Sequence, residues 1–201
     1  MPIITKPDYY SGLYEVAAAV NSAATTGNVL HSIVKNVAQA MGAKGCALMI
    51  LTFEEKLIHV ETYGLSDWYI KKGPLLANIS IPEVLEGKTV AIFDAANDER
   101  VQYRELAKKE GISSILSVPV RLRGQVTGVM RVYTGEPHHF IDDDIYFASA
   151  VANLGAIAVE NAVLNKSIEQ DYDTFKKKFY EWFTALEEEL VSGDFQPLSQ
   201  E

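Results

Sequence analysis

Hydrophobic residues in the first 42 positions recur at the three- and four-residue spacing of helix faces, in two separate sets. The first set is Leu13, Val16, Ala17 and Val20, and the second is Val29, Leu30, Ile33, Val34, Val37 and Met41. Between them, the segment ATTGN offers Thr25 or Thr26 as a cap that accepts hydrogen bonds from free helix amides. Gly42 can end the second helix in a left-handed conformation. The pattern therefore predicts two amphipathic helices.

From residue 45 the hydrophobic pattern changes to that of strands. CALMILTF and LIHVETY are rich in β-forming residues, and the short EEK between them favours a hairpin. Residues 64–88 contain Gly, Pro and polar residues, which predicts a loop with one short helix, and loops of this length often bind ligands. A short strand, TVAIF, and a helix within DERVQYRELAKKEG follow, with acids at the start of the helical pattern and Gly111 beyond its lysines.

Residues 113–134 predict a second hairpin that turns at Gly124, and alternation sorts its side chains onto two faces. One face is continuously apolar, as packing against helices requires: Leu116, Val118, Val120, Leu122, Val126, Gly128, Met130 and Val132. The other mixes apolar and polar residues: Ile115, Ser117, Pro119, Arg121, Thr127, Val129, Arg131 and Tyr133. In central strands, such a mixture indicates the wall of a ligand cavity.

A long helix is predicted from FIDDD to about Leu190, because Asp142, Asp143 and Asp144 favour a helix start and only Gly155 interrupts the pattern. Such a helix would be about 60–70 Å long, so part of it must leave the domain or fold back. Its first half is small and apolar and should be buried. Its second half carries a narrow stripe: Ile168, Tyr172, Phe175, Phe179, Trp182 or Phe183, Leu186 and Leu190. This spacing is typical of a coiled-coil seam and predicts a homodimer.

Composition and charge limit the function classes. Hydrophobic residues make up 48% of the chain and charged residues 22%, with no apolar run long enough for a membrane span and no signal segment, so we expect a cytoplasmic globular protein. The formal charge of −9 disfavours nucleic acid and anionic membranes as partners. The single cysteine, Cys46, excludes an intrachain disulfide and a cysteine-rich zinc site.

The most informative residue is Arg131, which interrupts the apolar strand segment GVMRVYT. Its guanidinium has a fork of donors that matches a carboxylate or phosphate, and we expect it to face a ligand. The alternatives are an internal acid as its partner, such as Asp94 or Glu61, or an edge position that reaches water. Further candidate ligand-binding residues share its face or lie in covering segments: Tyr133, Ser117, Ile115, Val129, Trp68, Tyr69, Tyr103 and Asp94.

The sequence offers no metal or catalytic motif. HHFIDDD contains two histidines and three acids, but adjacent helical residues do not converge on one point, and the aspartates already serve the helix start. His31 and His59 are interpreted as surface or packing residues. Gly-rich phosphate loops, nucleophile elbows and metalloprotease motifs are absent from the sequence.

Residues 9–165 resemble a GAF domain in the order of several segments: TGNVLHSIVKNVAQAMGAKGCALMIL, SVPVRLRGQVTGVMRVYT and HHFIDDDIYFASAVANLGAIAVENAVL. The resemblance implies an α+β fold related to PAS domains, with a five- or six-stranded antiparallel sheet, helices on one face, a ligand pocket on the other and a long C-terminal helix. With it, the chain divides into a tail at 1–8, the GAF domain at 9–165, a helical extension at 166–190 and a flexible tail at 191–201.

Specialised GAF branches match less well. Phe140 and Asp144 match part of the motif of cyclic-nucleotide binders, but Ile145 replaces its Glu and no Asn-Lys pair precedes it. Bilin-binding members place their cysteine in other regions than Cys46. The branch that reduces free methionine sulfoxide has two aspartates where Arg131 and Tyr133 stand, and it needs cooperating cysteines.

The sequence therefore favours a non-enzymatic sensory GAF domain that binds a small, anionic metabolite and dimerises through terminal helices. It does not indicate a cofactor. The alternatives are a protein-interaction module with a vestigial pocket and, less favoured, an enzyme of the sulfoxide-reductase type.

Overall fold

A computed structural model describes residues 8–21, 26–73 and 75–192. Its helices are α1 (Tyr9–Val20), α2 (Thr26–Ala40), α3 (Asp67–Ile70), α4 (Ala77–Ser80), α5 (Pro82–Leu85), α6 (Arg104–Glu110) and α7 (Asp142–Ser192). Its strands are β1 (Gly45–Leu51), β2 (Lys56–Tyr63), β3 (Leu75–Leu76), β4 (Val90–Ile92), β5 (Ser114–Leu122) and β6 (Gln125–Thr134). Together they form the predicted α+β fold, with a six-stranded antiparallel sheet in the order β3-β2-β1-β6-β5-β4.

Local conformation explains several element boundaries. Gly42, with φ of 59°, follows α2 in the left-handed region, as predicted. Arg123 and Gly124 form the turn between β5 and β6, and both have positive φ, at 51° and 83°. Such a turn matches the right-handed twist of the flanking strands and fixes their register. The hairpin predicted at Gly124 is confirmed.

The helical side of the sheet carries the face that the sequence predicts to be apolar. Leu116, Val118 and Val120 of β5 and Met130 and Val132 of β6 are buried there with residues of α1, α2 and the start of α7. This cluster buries small residues of α7, including Ala148, Val151, Ala152 and Ala156. Small side chains allow a helix to approach a sheet closely, so α7 closes this side.

The opposite side of the sheet is covered by the segment between β2 and β5, here called the cover segment (residues 64–113). The sequence predicts one short helix in residues 64–88, whereas the structure has α3, α4 and α5 there, with the two-residue strand β3. Each helix has four residues, too few to show a helical period. Pro82 begins α5, where its fixed φ suits a first helical turn.

Helix α7 begins at a buried carboxylate. Asp144 accepts hydrogen bonds from the amide of Ile141 at 2.9 Å and from the Tyr9 hydroxyl, and it lies 3.0 Å from a ring nitrogen of His138. The Tyr9 ring also stacks on Phe147. The aspartates therefore serve the helix start, as expected, and Asp144 also holds α1 in place. The described residues contain no cluster of acids, histidines and cysteine that could hold a metal ion.

The chain divides into two compact units, residues 1–159 and 160–201. In the second unit the described residues are helical to Ser192, and Phe175 and Phe179 are exposed with their rings stacked at 6.3 Å. The other predicted stripe residues lie outside the described side chains: Ile168, Tyr172, Trp182, Phe183, Leu186 and Leu190. Residues 1–7 and 193–201, in the two predicted tails, also lie outside the described residues, and the predicted domain limits stay predictions. None of the described helices is long and apolar enough to span a membrane.

Candidate ligand-binding site

Arg131 lies in the middle of β6, on the side of the sheet that faces the cover segment. Its strand neighbours are Ala47 on β1 and Ser117 on β5, both small, which leaves room for a long side chain. Its exposed fraction is only 6%. The alternation of β6 thus places a guanidinium inside the protein, as the sequence predicts, and an edge position that reaches water is ruled out.

The guanidinium is incompletely satisfied. Nη2 donates to the hydroxyl of Ser80 at 2.8 Å, and Nε is buried without a hydrogen-bond partner among the described residues. Among the residues that the structure describes, no carboxylate lies within ion-pairing distance of it. An unpaired buried charge is unfavourable by several kcal/mol, on the order of the whole stability of a domain. Among the described residues, the guanidinium of Arg131 thus has no carboxylate as its counter-charge.

Neither acid that the sequence offers as a partner is available to Arg131. A bulge in β2, opposite Leu48 and Met49, places Glu61 beside Leu48 on the helical side, where its carboxylate lies 3.3 Å from Nδ1 of His31. Asp94 is exposed and accepts hydrogen bonds from the Ala96 amide at 3.1 Å and the Asn97 side chain at 2.8 Å, within its own turn. The hypothesis of an internal ion pair is wrong for these two acids.

Two further polar groups on this face have no partner in the part of the chain that the structure describes. The hydroxyls of Ser117 and Tyr133 are buried, and neither makes a hydrogen bond with a described residue. Tyr133 Oη lies close enough to Arg131 for the guanidinium to stabilise a phenolate, but the two groups form no hydrogen bond with each other. Burial is the stronger effect and raises the pKa of Tyr133, so its hydroxyl stays protonated and can donate.

A second cation lies in the cover segment. Lys72 follows α3, and its ammonium donates to the carbonyl of Tyr69 at 3.0 Å and lies 3.7 Å from the centre of the Tyr69 ring. Burial, and then the charge of Arg131, lower the pKa of Lys72 to about 8, although Glu110 opposes this shift. Sequence analysis missed Lys72. No helical pattern in the sequence points to it, because Lys72 lies two residues beyond the four-residue helix α3.

His59 of β2 also faces this site. It pairs with Met49, whose side chain lies in the apolar cluster on the same side of the sheet. Burial, followed by the charges of Lys72 and Arg131, lowers the pKa of His59 to about 4, so the imidazole is neutral near pH 7. Its Nδ1 is buried, and none of the residues given a position in the structure forms a hydrogen bond with it. The sequence interpretation as a surface or packing residue missed this electrostatic coupling.

Apolar residues surround the polar groups. Ile115, Val129 and Tyr133 are almost fully buried, and the Tyr69 ring meets the Tyr133 ring edge-on, with centroids 6.3 Å apart. Tyr69, named in the sequence only as one possible aromatic wall, is thus the residue that connects Lys72 with β6. These side chains provide an apolar environment of low dielectric constant, in which electrostatic interactions are stronger than in water.

The remaining candidates lie farther out. Trp68 is 40% exposed, touches Tyr69 edge-on and has the ammonium of Lys109 4.9 Å from its ring centre. Tyr103 is partly buried against the same apolar cluster, and its hydroxyl would lie 2.9 Å from a Cβ added at Gly73. Gly73 therefore allows the backbone to pass close to Tyr103. Roles of Trp68, Tyr103 and Asp94 in ligand binding stay predictions.

The carboxylate of Glu110 is the negative charge that acts on Lys72. It already accepts hydrogen bonds from the Ser66 amide at 2.9 Å and from the Ser66 hydroxyl. This engagement fixes the start of α3 to the end of α6. With His59 neutral, the site has two positive charges, on Arg131 and Lys72. The carboxylate of Glu110 acts on Lys72 but already accepts hydrogen bonds from Ser66, so the site is suited to bind an anion.

Two further features, a cysteine and a groove, lie on the helical side of the sheet. Cys46 is fully buried on the helical side of the sheet, and burial raises the pKa of its thiol far above the usual range, which leaves it unreactive. A groove of about 770 Å³ lies between α1, α2 and the start of α7 and includes Glu15, Gln39 and His138 in its lining. It lies on the opposite side of the sheet from Arg131.

The fold and sequence are similar to those of known GAF domains. The family model described as "GAF domain" matches residues 26–159. The GAF domain of a phosphoenolpyruvate-protein phosphotransferase from Coxiella burnetii has 20% identity and a TM-score of 0.69, over 80% of this chain and 97% of that one. The free methionine-R-sulfoxide reductase from Neisseria meningitidis, solved with its substrate, has 14% identity and a TM-score of 0.64, over 78% and 91%.

A phycocyanobilin-bound GAF domain from a cyanobacterial phytochrome has 13% identity and a TM-score of 0.63, over 79% of this chain and 97% of that one. At these identities the similarity shows the fold alone. A search of curated proteins finds no significant match. Since the family model spans well over half of the chain, the protein belongs to the GAF domain family, whose members are generally sensory, ligand-binding modules.

Proposed function

We propose that the protein is a non-enzymatic sensory GAF domain that binds a small anionic metabolite at Arg131. The observation that carries this proposal is the buried guanidinium, with one hydroxyl partner and no carboxylate within ion-pairing distance among the described residues. A carboxylate or phosphate of the ligand would supply the missing counter-charge and occupy the unpartnered Nε. The protonated hydroxyl of Tyr133 and that of Ser117 would orient it.

Binding would connect the cover segment to the sheet. Ser80 and Lys72 belong to the cover segment, whereas Arg131 belongs to β6. An anion bound between them would therefore make all of its contacts only when the cover segment lies against the sheet, which is here called the closed state. The ligand would therefore shift the population toward the closed state by its differential affinity. We propose that the terminal helices transmit this change.

Thermal unfolding with a panel of small carboxylates and phosphates tests the ligand class. Active anions should raise the melting temperature of the wild-type protein and leave that of Arg131→Met unchanged. Arg104→Met is the matched control, because Arg104 is exposed at the start of α6 and the same chemical change there should leave the anion response intact. If anions raised the melting temperatures of Arg131→Met and wild type equally, the charge of Arg131 would have no role in anion binding. Native mass spectrometry of the purified protein would show a retained ligand and the subunit count together.

Dimerisation through the terminal helices is the second part of the proposal. Phe175 and Phe179 are exposed one helical turn apart, as a helix seam requires. Ending the chain after Leu164 removes this pair and should weaken self-association in sedimentation experiments. A truncated protein that is still fully dimeric at the same concentration would contradict the role of the stripe.

A protein-interaction module is the second candidate. It is favoured by the burial of Ile115, Val129 and Tyr133, whose side chains occupy much of the face where a ligand would bind. An absence of any anion response in wild-type protein would favour this candidate over the sensor. A thiol-dependent reductase is disfavoured, because Cys46 is the chain's single cysteine and is buried with a raised pKa.

A further inference from the structure

Two cations of the candidate site lie beside the two members of one tyrosine pair, each beside a different tyrosine. The ammonium of Lys72 lies over the ring of Tyr69 and donates to the Tyr69 carbonyl, and Arg131 lies beside Tyr133. The two tyrosine rings meet edge-on with centroids 6.3 Å apart. Lys72 and Arg131 are therefore associated with the two members of one aromatic pair, Lys72 from the cover segment and Arg131 from the sheet.

Both cations have donors left over. An ammonium has three donors, and the structure gives that of Lys72 one acceptor, the Tyr69 carbonyl. Arg131 Nε has none. A single carboxylate that fills the guanidinium fork directs its lone pairs at Arg131, which leaves the two remaining donors of Lys72 without an acceptor from that ligand.

From this geometry we infer that the ligand carries two acidic groups, one bound by Arg131 and the other by Lys72. This inference rests on the proposed function and specifies its ligand class: a small diacid, either a dicarboxylate or a phosphorylated acid. The tyrosine pair would contact the carbon skeleton between the two acidic groups. Monoanions of the same size would use Arg131 alone.

Binding of a ligand with two acidic groups should be coupled to the uptake of a proton by Lys72. The groups that act on Lys72 are Arg131 from β6, Tyr69 from α3 and Glu110 from α6, and neutral His59 is the titratable group on β2. Since the pKa of Lys72 is about 8, it is half protonated at pH 8 in the free protein. A second anionic group beside it favours the ammonium, so up to about half a proton should be taken up on binding at that pH.

Matched pairs of probes test the inference by isothermal titration calorimetry on the full chain. Succinate is compared with butyrate, and phosphoglycolate with glycolate, so that each pair differs by one acidic group. At least one diacid should bind about tenfold or more tightly than its partner with one acidic group, as expected for one additional charge-assisted hydrogen bond. The pair that shows the difference identifies the second group as carboxylate or phosphate. Measurements at pH 8 in Tris and in triethanolamine, both cationic buffers, give the proton uptake from the difference in heat.

Lys72→Met should reduce the preference for the diacid over its partner with one acidic group to less than threefold, and it should abolish the proton uptake. Lys71→Met is the control: Lys71 is the exposed neighbour of Lys72, and its replacement should change neither quantity. The comparison of wild-type affinities needs no variant, so misfolding of Lys72→Met would not leave the inference untested. Equal affinities for the members of both pairs, without proton uptake, would overturn this inference and leave the anion site at Arg131 in place. An absence of binding by all four probes would overturn it together with the proposed anion site.

Discussion

Replacing Arg131 with Met should stabilise the ligand-free protein while abolishing its response to anions. The variant loses the hydrogen bond to Ser80, and a bond from a charged donor contributes about 1.5–3 kcal/mol. It also removes a cation that is 6% exposed and an Nε without a partner. Leaving one buried donor unsatisfied costs about 1–3 kcal/mol, and desolvation of the buried ion costs several more.

The balance predicts that Arg131→Met raises the free energy of unfolding by about 1–3 kcal/mol, within the range seen when apolar residues replace buried ions. For a chain of this size each kcal/mol shifts the melting temperature by about 2–4 °C. Urea unfolding followed by circular dichroism, in Tris buffer without added carboxylate or phosphate, measures the difference. Arg104→Met should stay within about 0.5 kcal/mol of wild type. A loss of about 3–5 kcal/mol in Arg131→Met, or a failure to fold, would refute the reasoning, because that loss is characteristic of breaking a compensated buried ion pair.

Two other predictions concern groups that contact the same site. Ser80→Ala removes the hydroxyl that accepts from Arg131 and should lower the free energy of unfolding by about 1–3 kcal/mol, an effect that a double-mutant cycle with Arg131→Met should greatly reduce. For Lys72 the folded pKa of about 8 lies below the ordinary 10.5, so between these values the unfolded chain binds more protons and stability rises with pH. The stability of wild type relative to Lys72→Met should therefore increase by roughly 3 kcal/mol between pH 7 and pH 11. A pH-independent difference in urea unfolding would contradict this assignment.

The structure shows why some site residues could be predicted and others could not. Alternation along β6 places Arg131 and Tyr133 on one face, and a strand buried on both sides has no other place for them, so this part followed from local periodicity. Lys72 follows α3 and Ser80 ends α4, two helices of four residues each, where periodicity carries little information. Their approach to Arg131 depends on how the cover segment folds over the sheet.

The hydrophobic pattern by itself determined the two N-terminal helices and the β5–β6 hairpin, because each depends on contacts between near neighbours in sequence. It also indicated which face of the hairpin is apolar, since strand alternation is local, whereas the packing of α1, α2 and α7 on that face joins residues distant in sequence. The electrostatics of the site were decided only by tertiary structure. The bulge in β2 moved Glu61 to the helical side, and the cover segment brought Lys72 toward Arg131. A charge in a sequence has no fixed protonation or partner, since both depend on burial and on groups that the fold brings close.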